Sequence, residues 1–428
     1  MGKLVRIPVH GFVEVEGSLL DLMDSPYLQR LRRVRQLGLA DLVYPGAVHT
    51  RFEHSLGVKH LCDRLLEVQW DAMSEREDLG RFQRRYVAEV LGAAGLVHDV
   101  GHPPFSHVLE PLLEITVGMD HEDVGRKVAR VALEEAGVTD PESVLEVAFG
   151  GGSGWTSVLH ELIAGELGVD RLDYLERDSL HTGVAYGVIE VDRLLHTVEI
   201  PKGDGSGAVV VSLKGLEAAE SVLVARYHMY RAVYFHRTCR AADTMLLKAA
   251  TVAAEDGELD LGFLRKVDTD TGSMEDLLNW DDVGLLVTLS EAGDVPTELV
   301  TMLRDRELYK CVATVTLEDE PSVEDLFAVA EEISETVAGD DRSVLLDCSR
   351  IIPYEPGSEG ILIRTSKGLK PLSEVSEVVS ALKEKARWGE VKVRVYASPE
   401  VAPGLDGEEV GRLAREALSD RLNRSESP

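Results

Sequence analysis

Cysteine is scarce in this 428-residue chain, and its four copies form no pattern that would indicate a structural role. They are far apart, with no CxxC pair and no short disulfide framework: Cys62, Cys239, Cys311 and Cys348. The spacing excludes a cysteine-rich structural metal site. It is typical of proteins from a reducing compartment, so we expect a cytoplasmic location.

Long hydrophobic runs are also missing. The amino-terminal segment has no unbroken apolar stretch of the kind that signal peptides need, and no run reaches the roughly 18 apolar residues of a membrane span. We therefore expect a soluble protein with no membrane partner.

Positive charge is in deficit, with 45 Lys and Arg against 76 Asp and Glu and a formal net charge of −31. Such a surface repels phosphate backbones, which argues against nucleic acid as a major partner. Basic residues are nevertheless concentrated near the amino terminus, where they could bind an anionic nucleotide or form a solvated helix face: Arg30, Arg32, Arg33, Arg35 and Arg51. No Walker A sequence is present, so phosphates would have to bind metal and guanidinium groups.

The spacing of apolar residues predicts a mainly α protein. A period of 3.6 predicts helices over residues 26–38, 54–73, 81–100, 120–136, 141–149, 157–167, 170–181 and 215–250. A Gly- and Asp-rich turn at 202–207 and a β-branched run at 208–212 predict a short β-hairpin whose other strand lies within 194–200.

The pattern changes after residue 311. Strands are predicted near 312–317, 343–347, 360–363 and 391–396, alternating with helices near 322–337 and 372–386. The chain exceeds one typical core, and we divide it into a helical domain with its amino-terminal segment (1–250), a helical extension (251–311) and an α+β subdomain (312–428). Residues from 420 onward are predicted to form a frayed tail.

The adjacent pair His98 and Asp99 lies in an apolar helical stretch and is the most informative motif. An ionised Asp buried without a partner is strongly destabilising, so a cation is needed beside it, and a divalent metal would supply one. A lone His is more often an ordinary core residue. However, His98, Asp99, His102 and His107 fall within one short segment, where such a group serves no packing purpose.

Two other stretches could complete a metal site, with His54 upstream and Asp170 downstream. Two neutral imidazoles and two carboxylates would leave a divalent cation near zero net charge, with open positions for water and substrate oxygens. This mixed nitrogen and oxygen set suits one ion of Mn, Mg, Fe, Co, Ni or Zn without choosing among them.

The chain resembles the HD-domain phosphohydrolases and, within them, the deoxynucleoside triphosphate triphosphohydrolases, including the animal enzyme that joins a sterile-alpha-motif domain to an HD domain. The resemblance is collinear over residues 7–11, 24–32, 36–38, 44–57, 95–107, 170–178, 226–245 and 306–310. It implies an HD domain within residues 1–250 and a metal bound by His54, His98, Asp99 and Asp170. It also implies hydrolysis of dNTPs to deoxynucleoside and inorganic triphosphate by a homodimer or homotetramer.

The resemblance also implies catalytic roles for three histidines beyond the ligands. His102 and His121 would act in hydrolysis and His107 would bind phosphate, since an imidazole that titrates near neutrality can donate a proton or orient a nucleophile. Alternatively, His121 only belongs to the start of a helix that Asp120 caps.

One face of a predicted helix contains Asp170, Tyr174 and Asp178. A solvated charged face would show the same spacing. The resemblance implies that Tyr174 lies near the substrate and that Asp178 accepts a hydrogen bond from the sugar 3′-OH. It also implies that the phosphates are held by Arg51, Arg171 and Arg226. The sugar and base would be contacted by Gln36 and Leu37.

A second helical stripe, from Arg226 to Arg237, contains Tyr230 and Tyr234, and an aromatic stripe alone would indicate core packing. The resemblance implies instead that Tyr234 packs against the deoxyribose and leaves no room for a 2′-hydroxyl. Tyr230 departs from the family, since the animal enzyme has His at this position.

Four residues match family positions that hold an activating guanine nucleotide: Lys3, Asp24, Gln29 and Arg32. We therefore expect activation by GTP or dGTP. The second half of such a site needs basic residues from the 193–214 region, and only Lys214 could contribute there. Two other interpretations remain open. The protein could hydrolyse another nucleotide or phosphate ester, or it could be a non-catalytic nucleotide sensor.

Overall fold

The computed structural model describes residues 2–200, 202, 210–350, 360–387 and 391–425. Helices dominate these residues and the strands form small sheets, so the predicted mainly α class is confirmed. An amino-terminal hairpin, which the sequence analysis did not predict, pairs β1 (Lys3–Ile7) with β2 (Gly11–Val15) in antiparallel register. Val13 and Val15 turn one face of this hairpin into the core.

The helical core follows the hairpin. Its helices are α1 (Ser18–Asp24), α2 (Pro26–Arg30), α3 (Arg51–Ser74), α4 (Arg84–Val97), α5 (Glu110–Val117), α6 (His121–Glu135), α7 (Pro141–Phe149), α8 (Trp155–Ala164), α9 (Val169–Thr182), α10 (Val191–Thr197), α11 (Leu216–Met229) and α12 (Arg237–Glu255). The extension adds α13 (Thr271–Asn279), α14 (Asp282–Glu291) and α15 (Asp294–Asp305). Apolar side chains from these helices form one continuous cluster, in which α3 packs against both α4 and α9.

The predicted helix over 26–38 is wrong in its second half. Helix α2 ends at Arg30, one 3-10 turn reaches Arg33, and the chain then becomes extended. The Arg51 amide donates to the Val34 carbonyl at 3.0 Å and the Gln36 amide to the His49 carbonyl at 3.1 Å. These bonds to a distant segment satisfy the backbone, so tertiary pairing overrides the helical pattern.

The predicted helix over 215–250 is also interrupted. A π-helical turn at Tyr230–Tyr234 separates α11 from α12, and the Phe235 amide donates to the Tyr230 carbonyl at 2.8 Å. A π-helical turn holds more residues than an α-helical one, and such turns often occur at functional sites. Apolar periodicity does not report this widening, because the residues on both sides remain helical.

The predicted hairpin is part of a larger sheet. Strand β3 (Val198–Glu199) pairs with β4 (Val210–Ser212), and β4 pairs in parallel with β7 (Leu362–Thr365), which pairs with β8 (Gly368–Pro371). The turn at 202–207 lies outside the described residues except for Lys202, and 208–209 lie outside them too. Strand β7, from the carboxy-terminal region, therefore borders the helical core, which local sequence patterns could not indicate.

A separate sheet in the order β5, β9, β6 carries the rest of the carboxy-terminal region. It consists of β5 (Lys310–Leu317), β6 (Val344–Arg350) and β9 (Val391–Ala397), covered by α16 (Val323–Val337) and α19 (Gly407–Ser425). These five elements share their own apolar cluster. The segment with β7, β8, α17 (Leu372–Val375) and α18 (Glu377–Arg387) instead contributes Ile363, Leu372 and Val379 to the main cluster.

The predicted frayed tail is wrong for residues 420–425, which complete α19. Leu418 near the end of this helix is fully buried in the second cluster, and that burial stabilises the last turns. Residues 426–428 lie outside the described part of the chain. The three-part division of the chain stays a prediction.

Candidate metal centre and adjoining cavity

His54, His98, Asp99 and Asp170 converge from three helices of the core. His54 lies in the first turn of α3, His98 and Asp99 directly follow α4, and Asp170 lies in the first turn of α9. His54 Nε2 is 2.9 Å from Asp170 Oδ1 and 3.3 Å from His98 Nε2, and His98 Nε2 is 3.6 Å from Asp170 Oδ1. Asp99 completes the group, with carboxylate oxygens 3.4 Å from His98 Nε2 and 3.7 Å from His54 Nε2.

These separations fit ligands around one small cation. Ligand atoms at about 2.1 Å from a metal lie about 3.0 Å apart at right angles and about 3.4 Å apart in a tetrahedron. The two Nε2 atoms also face each other, which is unfavourable for two imidazole lone pairs unless a proton or a metal ion lies between them. The cluster, which we call the ligand cluster, could therefore hold a divalent metal.

Second hydrogen bonds orient both imidazoles of the ligand cluster. His54 Nδ1 donates to Asp173 Oδ2 at 2.7 Å and His98 Nδ1 donates to the Gly95 carbonyl at 3.0 Å, which leaves both Nε2 atoms for the centre. Burial lowers the pKa of His54, but hydrogen bonds to Asp170 and Asp173 outweigh it and raise that pKa to about 10. Metal binding would therefore displace a proton from His54.

Asp173 is itself fixed by buried partners. Its carboxylate accepts from His10 Nε2 at 2.6 Å and from Arg177 Nε and Nη2 at 2.8 and 2.7 Å. Gly57 of α3 makes room for this group, since a Cβ at Gly57 would lie 1.9 Å from Asp173 Oδ1. Asp173 therefore orients the His54 imidazole from a position that is itself fixed by the fold.

Asp99 has a cationic partner within the protein. Arg51 Nη1 donates to Asp99 Oδ2 at 2.6 Å and Arg51 Nε donates to Ser106 Oγ at 2.7 Å. Burial raises the pKa of Asp99, but the charge of Arg51 and the nearby imidazoles hold it well below its ordinary value. The burial of Asp99 therefore does not by itself require a metal, and the case for one rests on the convergence of all four ligands.

A second group of titratable side chains adjoins the first. His102 Nε2 lies 3.2 Å from Asp99 Oδ1, and the His102 and His121 rings stack with centroids 4.0 Å apart. Glu110 of α5 binds His107 Nδ1 at 2.8 Å and also contacts His121 Nδ1. Burial lowers the pKa of His121, but the interaction with Glu110 outweighs it and raises that pKa above its usual value.

Close backbone packing places His102 beside His121. A Cβ at Gly101 would lie 2.2 Å from both the His121 carbonyl oxygen and the Gly125 amide nitrogen, so the loop after α4 contacts the start of α6 only because residue 101 is glycine. Arg30, which is 1 % exposed, donates to the His102 and Trp280 carbonyls at 2.9 Å each. Asp120 does cap α6 and forms a capping box with Asp123, while the His121 side chain is directed to Glu110.

A cavity of about 400 Å³ opens beside this second group. Seven of the predicted site residues line it: Gln36, Leu37, Arg51, His107, Tyr174, Asp178 and Tyr234. Tyr230, the family departure, lines it too, and its ring meets the Tyr234 ring edge to face with centroids 5.1 Å apart. The cavity thus extends from the neighbourhood of the ligand cluster to a wall of aromatic rings.

Asp178 is held on two sides. It accepts from His49 Nε2 at 2.7 Å and from the Tyr234 hydroxyl at 2.8 Å. The His49 ring stacks on His181 with centroids 4.3 Å apart. These contacts fix the Asp178 carboxylate at the cavity wall.

Arg171 and Arg226 do not themselves line the cavity, although Arg226 adjoins its wall at Tyr230. Both approach Glu166, with Arg226 Nη1 3.0 Å and Arg171 Nη2 3.6 Å from its carboxylate. Arg226 also lies over the Tyr230 ring at 5.5 Å from the centroid. Their phosphate-binding roles therefore stay a prediction.

The predicted basic cluster near the amino terminus is not a free patch. Arg30 binds backbone carbonyls, Arg33 pairs with Asp281, Arg35 with Asp41 at 2.7 Å and Arg51 with Asp99. Arg32 packs over the Phe52 ring at 3.8 Å. Each guanidinium has a partner inside the fold because burial or proximity to a carboxylate favours pairing.

The four predicted activator residues do meet on one surface. Lys3 pairs with Asp24, and Arg32 Nε donates to Gln29 Oε1 at 2.8 Å. Gln29 also donates to the Met23 carbonyl at 2.8 Å, which links the two pairs through the end of α1. We call these four residues the amino-terminal surface.

Comparison with known proteins identifies the family. The HD domain matches residues 51–178, which contain all four residues of the ligand cluster, and an HD associated region matches residues 189–425, more than half of the chain. An uncharacterised protein of Methanocaldococcus jannaschii is 31% identical over 433 residues, covering 99% of this chain and 83% of that protein. The chain belongs to the HD-domain phosphohydrolase family.

Two further relatives carry functional names. A crystal structure of a phosphohydrolase from Bacteroides thetaiotaomicron matches with a TM-score of 0.69 and 28% identity, covering 93% of this HD-domain protein and all of that chain. The deoxynucleoside triphosphate triphosphohydrolase SAMHD1 homologue of Dictyostelium discoideum is 26% identical over 362 residues, covering 79% of this chain and 65% of that protein. Among the helices of the described residues, none combines the length and apolarity needed to cross a bilayer.

Sequence reasoning missed several residues of the HD-domain site. Glu110, Glu166 and His10 were not singled out, because a lone Glu in a helix or a lone His in a turn has no local signature. The sequence offered one signal for Glu110, its i, i+3 spacing from His107, which allows the two side chains to meet. His49 lies within the resemblance segment 44–57 but was given no role.

Proposed function

We propose that this HD-domain protein is a metal-dependent hydrolase of dNTPs that releases deoxynucleoside and inorganic triphosphate. One observation carries the proposal. A cavity of about 400 Å³ joins Arg51 and His107, beside the ligand cluster, to Asp178 and Tyr234, which fit a sugar. The named triphosphohydrolase relative supports the same assignment.

Residues near the ligand cluster would act on the phosphates. A divalent ion held by His54, His98, Asp99 and Asp170 would polarise a phosphoryl oxygen and lower the pKa of a bound water. Arg51 lies between the cluster and the cavity, where its guanidinium would stabilise charge on phosphoryl oxygens. Exposed His107 at the cavity wall would contact the phosphate tail.

Two stacked imidazoles would divide the proton chemistry. Glu110 raises the pKa of His121, so His121 is the better donor to the leaving oxygen. Burial and the charges of Arg51 and His121 hold the pKa of His102 well below its usual value, so His102 stays neutral and can orient the attacking nucleophile. The different surroundings of the two imidazoles would thus give them different tasks.

The sugar would bind against the linked side chains of Asp178 and Tyr234. Each carboxylate oxygen of Asp178 accepts one hydrogen bond from the protein and retains capacity for a 3′-OH. Tyr234 is anchored by its hydroxyl, so its ring cannot withdraw to admit a 2′-hydroxyl without breaking that bond. Arg171 and Arg226 would reach a phosphate only by exchanging Glu166 for it.

The experiment is product analysis with metal-loaded protein and a mixture of dNTPs and rNTPs. We expect deoxynucleoside and intact tripolyphosphate from dNTPs, none from rNTPs, and no turnover after chelation. Release of orthophosphate or pyrophosphate would point to another phosphohydrolase reaction, and stoichiometric metal and dNTP binding without product would point to a sensor. The same proposal includes a dimer or tetramer that GTP or dGTP activates through the amino-terminal surface.

A further inference from the structure

The carboxy-terminal sheet of β5, β9 and β6 has two different faces. Side chains alternate between the faces of a strand, and those on one face belong to the second apolar cluster: Val344, Leu346, Val393 and Val395. On the other face Leu345 of β6 lies opposite Tyr396 of β9, and Asp347 lies opposite Arg394. Leu345 and Tyr396 belong to the main apolar cluster, so this second face is turned towards the helical core. Asp347 and Arg394 therefore lie at the boundary between the two parts of the protein.

Asp347 holds a residue of the cavity wall. Arg240 of α12 lines the cavity, and it donates to the Asp347 carboxylate through Nη2 at 2.5 Å and through Nε at 3.3 Å. Asp347 is 4 % exposed, so its side of this two-point contact is shielded from water. Two bonds to one carboxylate fix a planar guanidinium more strictly than a single bond would. The position of Arg240 at the cavity wall thus depends on a carboxylate from β6.

Arg394 holds a second part of the same wall. Its Nη2 donates to the Phe235 carbonyl at 3.0 Å, and its Nη1 lies 3.7 Å from Asp347 Oδ2. Phe235 directly follows the π-helical turn, and its ring contacts the Tyr230 ring with centroids 5.3 Å apart. Phe235 and Tyr230 both line the cavity. The sheet is therefore bonded to the end of the π-helical turn as well as to α12.

These polar contacts specify geometry more than they add stability. A buried ion pair often contributes little to the net free energy of folding, but an arrangement that separates its members leaves a buried charge without a partner. The apolar contacts of Leu345 and Tyr396 are non-directional and would tolerate small shifts of the sheet against α12. The two-point contact between Asp347 and Arg240 would not.

A third link between α12 and the carboxy-terminal region differs in its location. Lys248 Nζ lies 2.9 Å from Glu331 Oε1 of α16, and the Glu331 side chain is 49% exposed. Neither residue is among those that line the cavity. This pair joins the same two parts of the protein without contacting the cavity wall, so it offers a matched control.

We propose that Asp347 is a positioning residue for substrate binding, which through Arg240 and Arg394 holds the cavity wall at the π-helical turn in the shape that accepts the substrate. The inference rests on the proposed function for the identity of that substrate. Because the wall would contact a bound dNTP before and during hydrolysis alike, its displacement should weaken ground-state and transition-state binding equally. Such a change raises KM and leaves kcat unaltered.

Steady-state kinetics of the whole chain, loaded with metal, give the first test. In Asp347→Asn the side chain keeps its shape but loses the charge that binds two guanidinium groups. KM for dNTPs should rise about tenfold, the order expected when a charge-assisted hydrogen bond is lost, while kcat and metal content stay near those of the wild type. Glu331→Gln removes the exposed pair with Lys248 and should leave KM unchanged. An unchanged KM in folded Asp347→Asn, or an equal rise in Glu331→Gln, would overturn the inference.

Amide hydrogen exchange gives a readout that does not depend on turnover. Asp347→Asn should speed exchange over residues 230–236, because the wall is less firmly held, whereas Glu331→Gln should not. If the wild type hydrolyses no dNTP, the proposed function fails, but the exchange rates still test the contact. Faster exchange confined to Asp347→Asn would then support the inference, and equal rates in all three proteins would overturn it.

If Asp347→Asn does not fold, Arg394→Lys replaces it. Lysine keeps the positive charge beside Asp347 but lacks the fork that reaches the Phe235 carbonyl. KM should again rise, and exchange over residues 230–236 should again become faster. Wild-type values of both quantities in Arg394→Lys would overturn the inference.

Discussion

The ligand cluster and the amino-terminal surface both consist of four polar residues that distant parts of the chain bring together, but they differ in burial. In the ligand cluster His54 is 1 % and Asp99 5 % exposed, and each has a further buried partner, Asp173 or Arg51. In the amino-terminal surface the Lys3 and Asp24 side chains are 54% and 45% exposed and pair with each other. A buried polar group must be satisfied by the fold, so its position is specified by several residues, whereas an exposed one is specified by few.

The largest effect should come from Asp99→Ala. The substitution removes an anionic ligand and leaves Arg51 buried without its partner, so metal uptake and turnover should both be lost. Elemental analysis gives the metal content of the variant, and a dNTP hydrolysis assay gives its turnover. Asp192→Ala removes a carboxylate that is 66% exposed and paired with Arg64, and it should retain both properties. A full equivalent of metal in the Asp99→Ala protein would contradict the assignment of Asp99 as a ligand.

Glu110→Gln should lower kcat without removing the metal. Glu110 raises the pKa of His121, and loss of a positioned acid typically lowers the rate by about 10²–10⁴. If protonated His121 is the donor, activity falls as pH rises through its pKa, so Glu110→Gln should shift the alkaline limb of the kcat profile to lower pH. His121→Gln should abolish that limb. An unchanged alkaline limb in Glu110→Gln would contradict the role given to Glu110.

Asp173→Asn should weaken metal binding more than it affects turnover at saturating metal. The carboxylate orients His54 through Nδ1, and loss of such a partner typically costs about 10–100-fold in metal affinity. Titration with Mn²⁺ gives the Kd. Asp140→Asn is a matched control, since Asp140 caps α7 and accepts a hydrogen bond from Tyr86 and contacts none of the ligands. Asn caps a helix about as well as Asp, so both the stability and the Kd should stay close to those of the wild type. Equal Kd values for wild type and Asp173→Asn would refute this orienting role.

The smallest effect on stability should come from Lys3→Ala. Exposed ion pairs contribute about 0–1 kcal/mol, so the free energy of unfolding should change by no more than that in urea denaturation. Lys370→Ala removes the exposed ion pair with Glu374 and should change the free energy of unfolding by a similarly small amount. Stimulation of dNTP turnover by added GTP should be lost in Lys3→Ala and kept in Lys370→Ala. Stimulation that survives in Lys3→Ala would remove Lys3 from the activator site.

The helical fold was predictable because its apolar residues recur at helical spacing, as in α6 and α7. Where prediction failed, long-range pairing decided the outcome. Residues 34–36 bond to 49–51 instead of continuing α2, and β7 pairs with β4 across about 150 residues of chain. Local periodicity carries no information on such partners.

The metal ligands of the candidate site could be predicted from the sequence, but most of the residues that orient them could not. The motif residues His54, His98, Asp99 and Asp170 were found by family resemblance, and the structure brings them together. Glu110 had only its spacing from His107 as a signal and His10 was given no role, because the significance of both residues lies in what they contact. The pairing of Arg51 with Asp99 was missed because its position suggested phosphate binding alone.

X-ray absorption at the Mn edge of protein loaded with one equivalent of Mn²⁺ shows which side chains bind the ion. We expect nitrogen and oxygen ligands that include two imidazoles, from His54 and His98, and the loss of one imidazole in His98→Ala. A spectrum with no imidazole scattering, or one that His98→Ala leaves unchanged, would contradict the assignment of the ligand cluster as the metal site.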